Sequence, residues 1–186
     1  MRLRTGIILM GCLLFGCAGQ QQTPAGGSGT SGVTATAAPA GPQVHGNLLR
    51  VMRGIIYPAS NIIFAAQDTD PAKVKPADDP STAVNPLMSS YGQWQAVENA
   101  GIALAEAANL LSVPGRKCQN GKDVPMNNPD WPMLVQGLRD AGMAAYKAAQ
   151  SKNQDNILMA ADTMTTACAA CHDKYREKPT LADRCM

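Results

Sequence analysis

Two cysteines and a histidine stand close together near the end of the chain, in the run CAACH that contains Cys168, Cys171 and His172. At this spacing each thiol can add across one vinyl group of a porphyrin, and the adjacent imidazole can bind the iron as an axial ligand. With 6 Cys and 2 His among 186 residues, random placement would give the motif only about 0.002 times per chain. A zinc site needs four ligands, and the other histidine, His45, is far away in the sequence. The motif therefore predicts covalent attachment of one haem c.

The N-terminus has the pattern of a secretion signal. Arg2 and Arg4 precede an apolar stretch, residues 6–15, that is too short to span a bilayer. The sequence LFGC that ends at Cys17 resembles the lipobox of bacterial lipoproteins, in which the signal is cut before a cysteine that is then acylated. We therefore predict a signal peptide over residues 1–16 and a lipid anchor on Cys17. An ordinary cleaved signal with a leftover thiol is the alternative.

The segment that follows Cys17 is rich in Gln, Gly, Ser, Thr, Ala and Pro and carries no charge. Such a composition cannot bury enough apolar surface to fold, so residues 17–42 are predicted to be the lipidated cysteine and a flexible linker. Residues 43–186 then have the size of one domain.

Charge argues against one class of partner. The chain has 16 basic and 14 acidic residues, and loss of Arg2 and Arg4 with the signal leaves 14 of each (16 − 2 = 14). A neutral protein without a basic stripe does not have the charge pattern of a nucleic-acid-binding protein.

Two cysteines remain after the signal, the lipid anchor and the haem motif are assigned. Cys118 and Cys185 form an even pair in an oxidising compartment. We predict a disulfide that ties the loop after the second helix to the C-terminal tail, with two free thiols or a metal pair as the alternatives.

Four segments have apolar residues at alternating intervals of three and four, the pattern of helices packed in a bundle. The first includes Met52 and is interrupted by Pro58, which predicts a kink or a break near Tyr57. The other three cover about residues 91–112, 130–151 and 153–175. The stripe of the second is Trp94, Val97, Gly101, Leu104, Ala108 and Leu111. The stripe of the fourth is Leu158, Ala161, Met164 or Thr165, Cys168, Cys171 or His172, and Tyr175.

Small residues are frequent on the last three stripes. They permit close approach of helices and could leave room for a flat cofactor, although a tight alanine-rich core gives the same pattern. Strand signals are weak throughout, so the fold class is predicted to be all-α.

With these features the chain resembles class II cytochrome c, the cytochrome c′ family. Residues 168–176 (CAACHDKYR) are close to the haem-binding signature of that family, and residues 49–54 (LRVMRG) resemble its first-helix pattern. The resemblance implies an antiparallel four-helix bundle with covalently attached haem near the C-terminus. It assigns the two thioethers to Cys168 and Cys171, and the proximal iron ligand to His172.

The resemblance places Met52 over the opposite face of the iron. A methionine there completes a six-coordinate centre and raises the reduction potential, whereas an apolar residue leaves the iron open to small gases. Core packing is the alternative role for Met52, and His45, seven residues earlier, is a weaker candidate for the same ligand position. Arg176, one turn beyond His172, either approaches the haem or is a solvent-facing charge at a helix end.

These expectations together predict a monohaem c-type cytochrome that transfers single electrons and is not an enzyme. The alternative is a five-coordinate protein that binds nitric oxide or carbon monoxide. The partners would be periplasmic or membrane redox proteins, docked near Lys174, Arg176 and Lys178. The lipid anchor would hold the protein on the periplasmic side of the cell envelope. Ala18, rather than an aspartate, follows the anchored cysteine, and by resemblance to bacterial lipoproteins this indicates the outer membrane. A homodimer is compatible with the family.

Overall fold

The computed structural model of the chain describes residues 41–185, and these residues are mostly helical. They form no strand, although an antiparallel bridge joins Lys117 and Asp123. The helices are α1 (Leu48–Val51), α2 (Tyr57–Asp68), α3 (Gln93–Leu110), α4 (Trp131–Ser151) and α5 (Gln154–Tyr175). The predicted all-α class is confirmed for this part of the chain. The predicted signal peptide, the predicted anchor at Cys17 and all but the end of the linker lie outside the described residues.

The helical segment from α1 to α2, hereafter the N-terminal helix, contains a π-helical stretch, Met52–Ile56. It begins after Asn47, whose side-chain oxygen accepts a hydrogen bond from the Arg50 N–H at 3.1 Å. The interruption predicted near Tyr57 takes the form of this π-helical stretch, which ends at Ile56. A complete break, one of the two predicted forms, is wrong, because the chain stays helical through Pro58. A π-helical stretch holds an extra residue in a turn, and it occurs where the regular helical hydrogen-bond ladder is interrupted.

Helices α3 and α4 pack most extensively on each other and come very close together. A Cβ atom added to Gly101 would lie 2.6 Å from the Tyr146 nitrogen. One added to Gly142 would lie 2.6 Å from the Ala105 nitrogen. Glycine is therefore required at both positions by backbone contact between the two helices.

The start of α4 and the turn into α5 follow local sequence signals. Asp130 precedes α4, with Pro132 in its first turn. Lys152 has a left-handed backbone, with φ of 51°, and ends α4. The Asn153 side chain then caps α5 by accepting hydrogen bonds from the backbone N–H groups of Asp155 and Asn156, at 2.8 and 3.2 Å.

The long connection between α2 and α3 contains three short 3₁₀ helices, Pro71–Lys73, Pro80–Thr82 and Pro86–Met88. Each starts with proline after an aspartate or asparagine whose side chain accepts a hydrogen bond from a backbone N–H two residues on. Proline loses no hydrogen bond at the first position of a helix, and the Asx turn made by the residue before it fixes where each 3₁₀ helix starts.

Every helix contributes side chains to one buried core. The predicted stripe of α3 is confirmed, because all six of its residues are buried. The stripe of α5 is wrong at its start: Ile157 is fully buried, whereas Leu158 is 42 % exposed. Both residues precede Ala161 by a helical interval, so spacing alone does not choose between them. No helix within residues 41–185 combines the length and the hydropathy needed to cross a membrane.

Candidate functional site

Cys168, Cys171 and His172 lie on the last two turns of α5, near its C-terminal end. Intervals of three and four residues place them on one face of the helix. All three are partly buried, and neither cysteine takes part in a disulfide. They line a cavity of about 540 Å³, which is within the range of small-molecule and cofactor sites.

The walls of this cavity are mainly apolar and come largely from three parts of the fold, while Leu111 and Cys185 complete the lining. The N-terminal helix supplies one wall, the first two turns of α4 supply the second, and the end of α5 supplies the third. The lining residues are Leu48, Leu49, Met52, Arg53, Ile56, Tyr57, Ser60, Leu111, Trp131, Leu134, Val135, Leu138, Ala167, Cys168, Cys171, His172, Tyr175, Arg176 and Cys185.

The structure brings Met52 to the same cavity as the CxxCH residues, although 116 residues separate Met52 from Cys168 in the sequence. Met52 is the first residue of the π-helical stretch and is partly buried. His45, the other candidate for this position, is exposed and does not line the cavity. The Met52 side chain thus shares the cavity with His172, and that of His45 does not.

Burial sets the protonation state of the three residues on α5. Removal from water raises the pKa of the Cys168 thiol, and the nearby Arg176 opposes part of that rise. Burial, together with smaller effects of Cys168 and Asp130, raises the pKa of Cys171 to about 11. Burial and then Arg176 lower the pKa of His172. At neutral pH the site therefore contains two thiols and a neutral imidazole, the form of histidine that binds metals.

Polar contacts hold the end of α5 against the start of α4. The Tyr175 hydroxyl donates to the Asp130 carboxylate, with oxygen–oxygen distances of 2.9 and 3.0 Å, and accepts from the Asn128 amide at 3.1 Å. The Lys174 ammonium lies 2.7 Å from the same carboxylate, which lowers the pKa of Asp130. Asp130 thus precedes α4 as predicted, but its side chain binds α5 residues and makes no capping hydrogen bond to α4.

Arg176 lies at the edge of the cavity, half-exposed and paired with Glu177 at 2.5 Å. Both roles predicted for it agree with this position. Arg116, in contrast, is buried away from the cavity lining and donates to the carbonyl oxygens of Leu110 and Gly46, at 2.7 and 2.5 Å. Its guanidinium therefore joins the end of α3 to the segment before α1.

Cys118 and Cys185 form a disulfide, with their Cα atoms 4.7 Å apart, and Cys185 also lines the cavity. The Asn120 amide supports this link by donating to the carbonyl oxygens of Ala182 and Arg184, both at 2.8 Å. The Cys185 N–H donates to the Tyr175 carbonyl at 2.8 Å. The C-terminal tail is thus fastened beside the end of α5 and closes one edge of the cavity.

Several cavity residues carry no signal in the sequence. Trp131 and Arg53 are examples: Trp131 follows the predicted start of α4, and Arg53 follows Met52 on an exposed face. Nothing in their local spacing marks them as site residues, because only the packing of three helices brings them together. Among residues 41–185, no group of three His, Cys, Asp or Glu side chains is arranged to hold a metal ion.

Comparison with known proteins finds no relative of this chain. No family model, no curated protein and no solved structure matches the chain.

Proposed function

We propose that residues 43–186 form a domain of the class II cytochrome c type, an antiparallel four-helix bundle that carries one covalent haem c. The observation that carries this proposal is the convergence of Cys168, Cys171, His172 and Met52 on one apolar cavity. These four residues come from two distant parts of the sequence, and each has the chemistry needed to attach a haem or bind its iron.

The residues around the cavity fit a haem in three respects. The thiols of Cys168 and Cys171 are free and lie on one face of α5. The walls are formed largely by Leu, Ile, Val and Trp side chains, which suit a flat apolar ring. The lowered pKa of His172 favours its neutral, metal-binding form.

In this proposal Cys168 and Cys171 would hold the cofactor through thioethers, and His172 from α5 and Met52 from the N-terminal helix would bind its iron. The haem iron supplies one-electron redox chemistry, and the protein fixes the ligands, excludes water and leaves an edge for a partner. That task needs no general acid, general base or nucleophile. We therefore assign the protein as a one-electron carrier that is not an enzyme.

A five-coordinate protein that binds nitric oxide or carbon monoxide is the second candidate. One observation favours it: beside Met52 the N-terminal helix contributes Leu48, Leu49 and Ile56, which cannot bind iron. If the Met52 thioether packs among these side chains, the iron keeps one open position.

Location and partners belong to the same proposal. Lipid on Cys17 and the linker to residue 42 would hold the domain on the periplasmic side of the envelope, at the outer membrane, where redox proteins could dock. Of the three basic residues near the end of α5, Lys174 pairs with Asp130 and Arg176 pairs with Glu177. Their charges are thus largely neutralised, so we expect docking to depend weakly on salt.

Covalent attachment is tested by producing the full chain with its signal in cells that have a haem-attachment system. We expect one haem per chain in the pyridine haemochrome assay and a mass increase of one haem by mass spectrometry. Replacement of both Cys168 and Cys171 by alanine should abolish attachment. The double replacement of Ala169 and Ala170 by serine, at exposed positions between the two cysteines, is the matched control and should keep it. Absence of covalent haem in the unmutated chain would overturn the proposal.

Ligation by Met52 is tested by the spectrum of the oxidised holoprotein. A methionine sulfur bound to ferric iron gives a weak charge-transfer band in the far red. Met52→Ala should remove that band and allow carbon monoxide binding by the reduced protein. Met159→Ala, at an exposed position on α5 outside the cavity, should leave both properties unchanged. A high-spin ferric spectrum in the unmutated holoprotein would select the gas-binding alternative.

A further inference from the structure

Trp131 has a buried indole N–H that no residue within 41–185 accepts. The side chain lines the cavity at the first residue of α4 and is only 2 % exposed. Its ring packs edge-to-face on Tyr175, with ring centroids 5.2 Å apart. Trp131 is thus a polar donor in a wall that is otherwise mainly apolar.

A buried donor without an acceptor is costly, and buried tryptophans usually find a partner for this N–H. The polar side chains of residues 41–185 around Trp131 do not supply this acceptor, since none lies within hydrogen-bonding distance of its Nε1. The Asp130 carboxylate accepts from Tyr175 and Lys174, and the Asn128 amide donates to the Tyr175 hydroxyl. The acceptor for Trp131 is therefore expected from a molecule that fills the cavity.

We propose that the Trp131 Nε1–H donates a hydrogen bond to a propionate carboxylate of the bound haem and thereby fixes the position of that edge of the ring. This inference rests on the proposed function. The periphery of haem c consists of methyl groups, two thioethers and two propionates, and the carboxylates are the strong acceptors among them. A hydrogen bond to an ionised carboxylate is about twice as strong as one between neutral groups.

The electrostatic surroundings of Trp131 are compatible with a carboxylate. The Nε1–H belongs to the first turn of α4, where the helix dipole favours negative charge. Arg53 also lines the cavity and adds positive charge to it, whereas the Arg176 guanidinium is paired with Glu177. The Asp130 carboxylate next to Trp131 would repel a second anion, but Lys174 lies 2.7 Å from it and offsets its charge.

Nuclear magnetic resonance of the unmutated ferrous holoprotein tests the contact directly. The chain has only two tryptophans, Trp94 and Trp131, so two indole N–H signals are expected. One of them should show a nuclear Overhauser effect to the methylene protons of a haem propionate. Trp94, which lies on α3 outside the cavity, should show none. A Trp131 N–H close only to thioether or methyl protons of the ring would overturn the inference.

Resonance Raman spectroscopy of the holoprotein gives a second readout, in which a variant removes the donor. Exchange into heavy water should shift one propionate bending mode in the unmutated protein. Trp131→Phe, which keeps an aromatic ring but removes the donor, should move that mode to lower frequency and abolish its isotope shift. Trp94→Phe is the matched control and should change neither. An unchanged propionate mode in Trp131→Phe would overturn the inference.

The two proposals fail in different ways. Absence of haem from the unmutated chain in the haemochrome assay contradicts the proposed function itself. Covalent haem with no contact between Trp131 and a propionate contradicts the inference alone and leaves the cytochrome assignment intact.

Discussion

The helical core is filled in different ways in two of its regions. In one, hereafter the packed region (Gly101, Ala105, Gly142 and Tyr146), the middles of α3 and α4 touch through backbone atoms. In the other, hereafter the cavity region, the N-terminal helix, the start of α4 and the end of α5 enclose about 540 Å³ between large apolar side chains. Helix α4 belongs to both regions: its first two turns line the cavity and its middle packs on α3.

The difference shows where small residues matter in this fold. The sequence allowed two roles for the stripes rich in alanine and glycine, either room for a flat cofactor or close packing. The structure places Gly101 and Gly142 in close packing. The room lies instead between larger residues such as Leu134, Leu138 and Trp131. Small side chains bring α3 and α4 together, whereas the cavity lies where larger side chains of the N-terminal helix, α4 and α5 meet.

The largest expected effect concerns the disulfide beside the cavity region. Cys118 and Cys185 are 67 residues apart, and in the chain-entropy model closure of such a loop stabilises the fold by about 4 kcal/mol. Replacement of both by alanine should lower the free energy of unfolding by that order, as measured by urea denaturation. The reducing agent dithiothreitol should destabilise the unmutated protein similarly and leave the double variant unaffected. If the reductant has no effect on either protein, the tail does not depend on this link.

Replacement of two leucines, one in each region, compares the packed region with the cavity region directly. Leu104 is fully buried in the core, and Leu138 faces the cavity. In haem-free protein Leu104→Ala should cost about 3 kcal/mol, within the range for buried leucines. Leu138→Ala should cost roughly half as much, because one side of its side chain has few neighbouring atoms to lose.

Attachment of haem should change the difference in cost between Leu104→Ala and Leu138→Ala, and this change tests what fills the cavity. The cost of Leu138→Ala should rise towards that of Leu104→Ala when the same variants are measured as holoproteins, because a ring would then contact Leu138. The cost of Leu104→Ala should stay constant. Equal costs of Leu138→Ala with and without haem would contradict the assignment of this cavity to the cofactor.

Replacement of two glycines of α4 tests how tightly the helices touch in the packed region. Gly142→Ala would place a Cβ 2.6 Å from the Ala105 nitrogen, and we expect a loss of about 2 kcal/mol from forced separation of the helices. Gly137→Ala is the matched control, because nothing lies within 4 Å of its added Cβ. It should stabilise the protein by up to about 1 kcal/mol, through the higher helix propensity of alanine. Thermal denaturation of the two variants should therefore show shifts of opposite sign.

The elements of the fold could be predicted from local sequence to different extents. The start of α5 follows from Asn153, whose side chain caps the helix, because a cap acts over only a few positions. Helix α4 begins where it was predicted, after Asp130, although the Asp130 side chain does not cap it. Pro58 predicted an interruption near Tyr57, but its π-helical form over Met52–Ile56 could not be predicted, because local sequence does not show how a helix accommodates the missing N–H of a proline. The choice between Ile157 and Leu158 also needed the structure, since both satisfy the helical interval.

The candidate site divides in the same way. Cys168, Cys171 and His172 are recognisable because their chemistry depends on local spacing within one helix. Met52 was identified through a family pattern, and its place in the cavity depends on packing between distant segments. Trp131 and Arg53 were missed, since only the arrangement of three helices brings their side chains to the cavity. Sequence thus predicts the candidate attachment residues better than the residues that line the rest of the cavity.

The smallest expected effect concerns the contacts between Tyr175 and the start of α4. Tyr175→Phe removes a hydroxyl that donates to Asp130 and accepts from Asn128 but keeps the ring that packs on Trp131. We expect a loss of up to about 1 kcal/mol in the free energy of unfolding, because these hydrogen bonds are partly exposed. In an Asp130→Asn background the same replacement should cost less, since the charged acceptor is already gone. Equal costs in both backgrounds would mean that the hydroxyl acts independently of Asp130, and the end of α5 would then be held at the cavity by apolar packing and the disulfide.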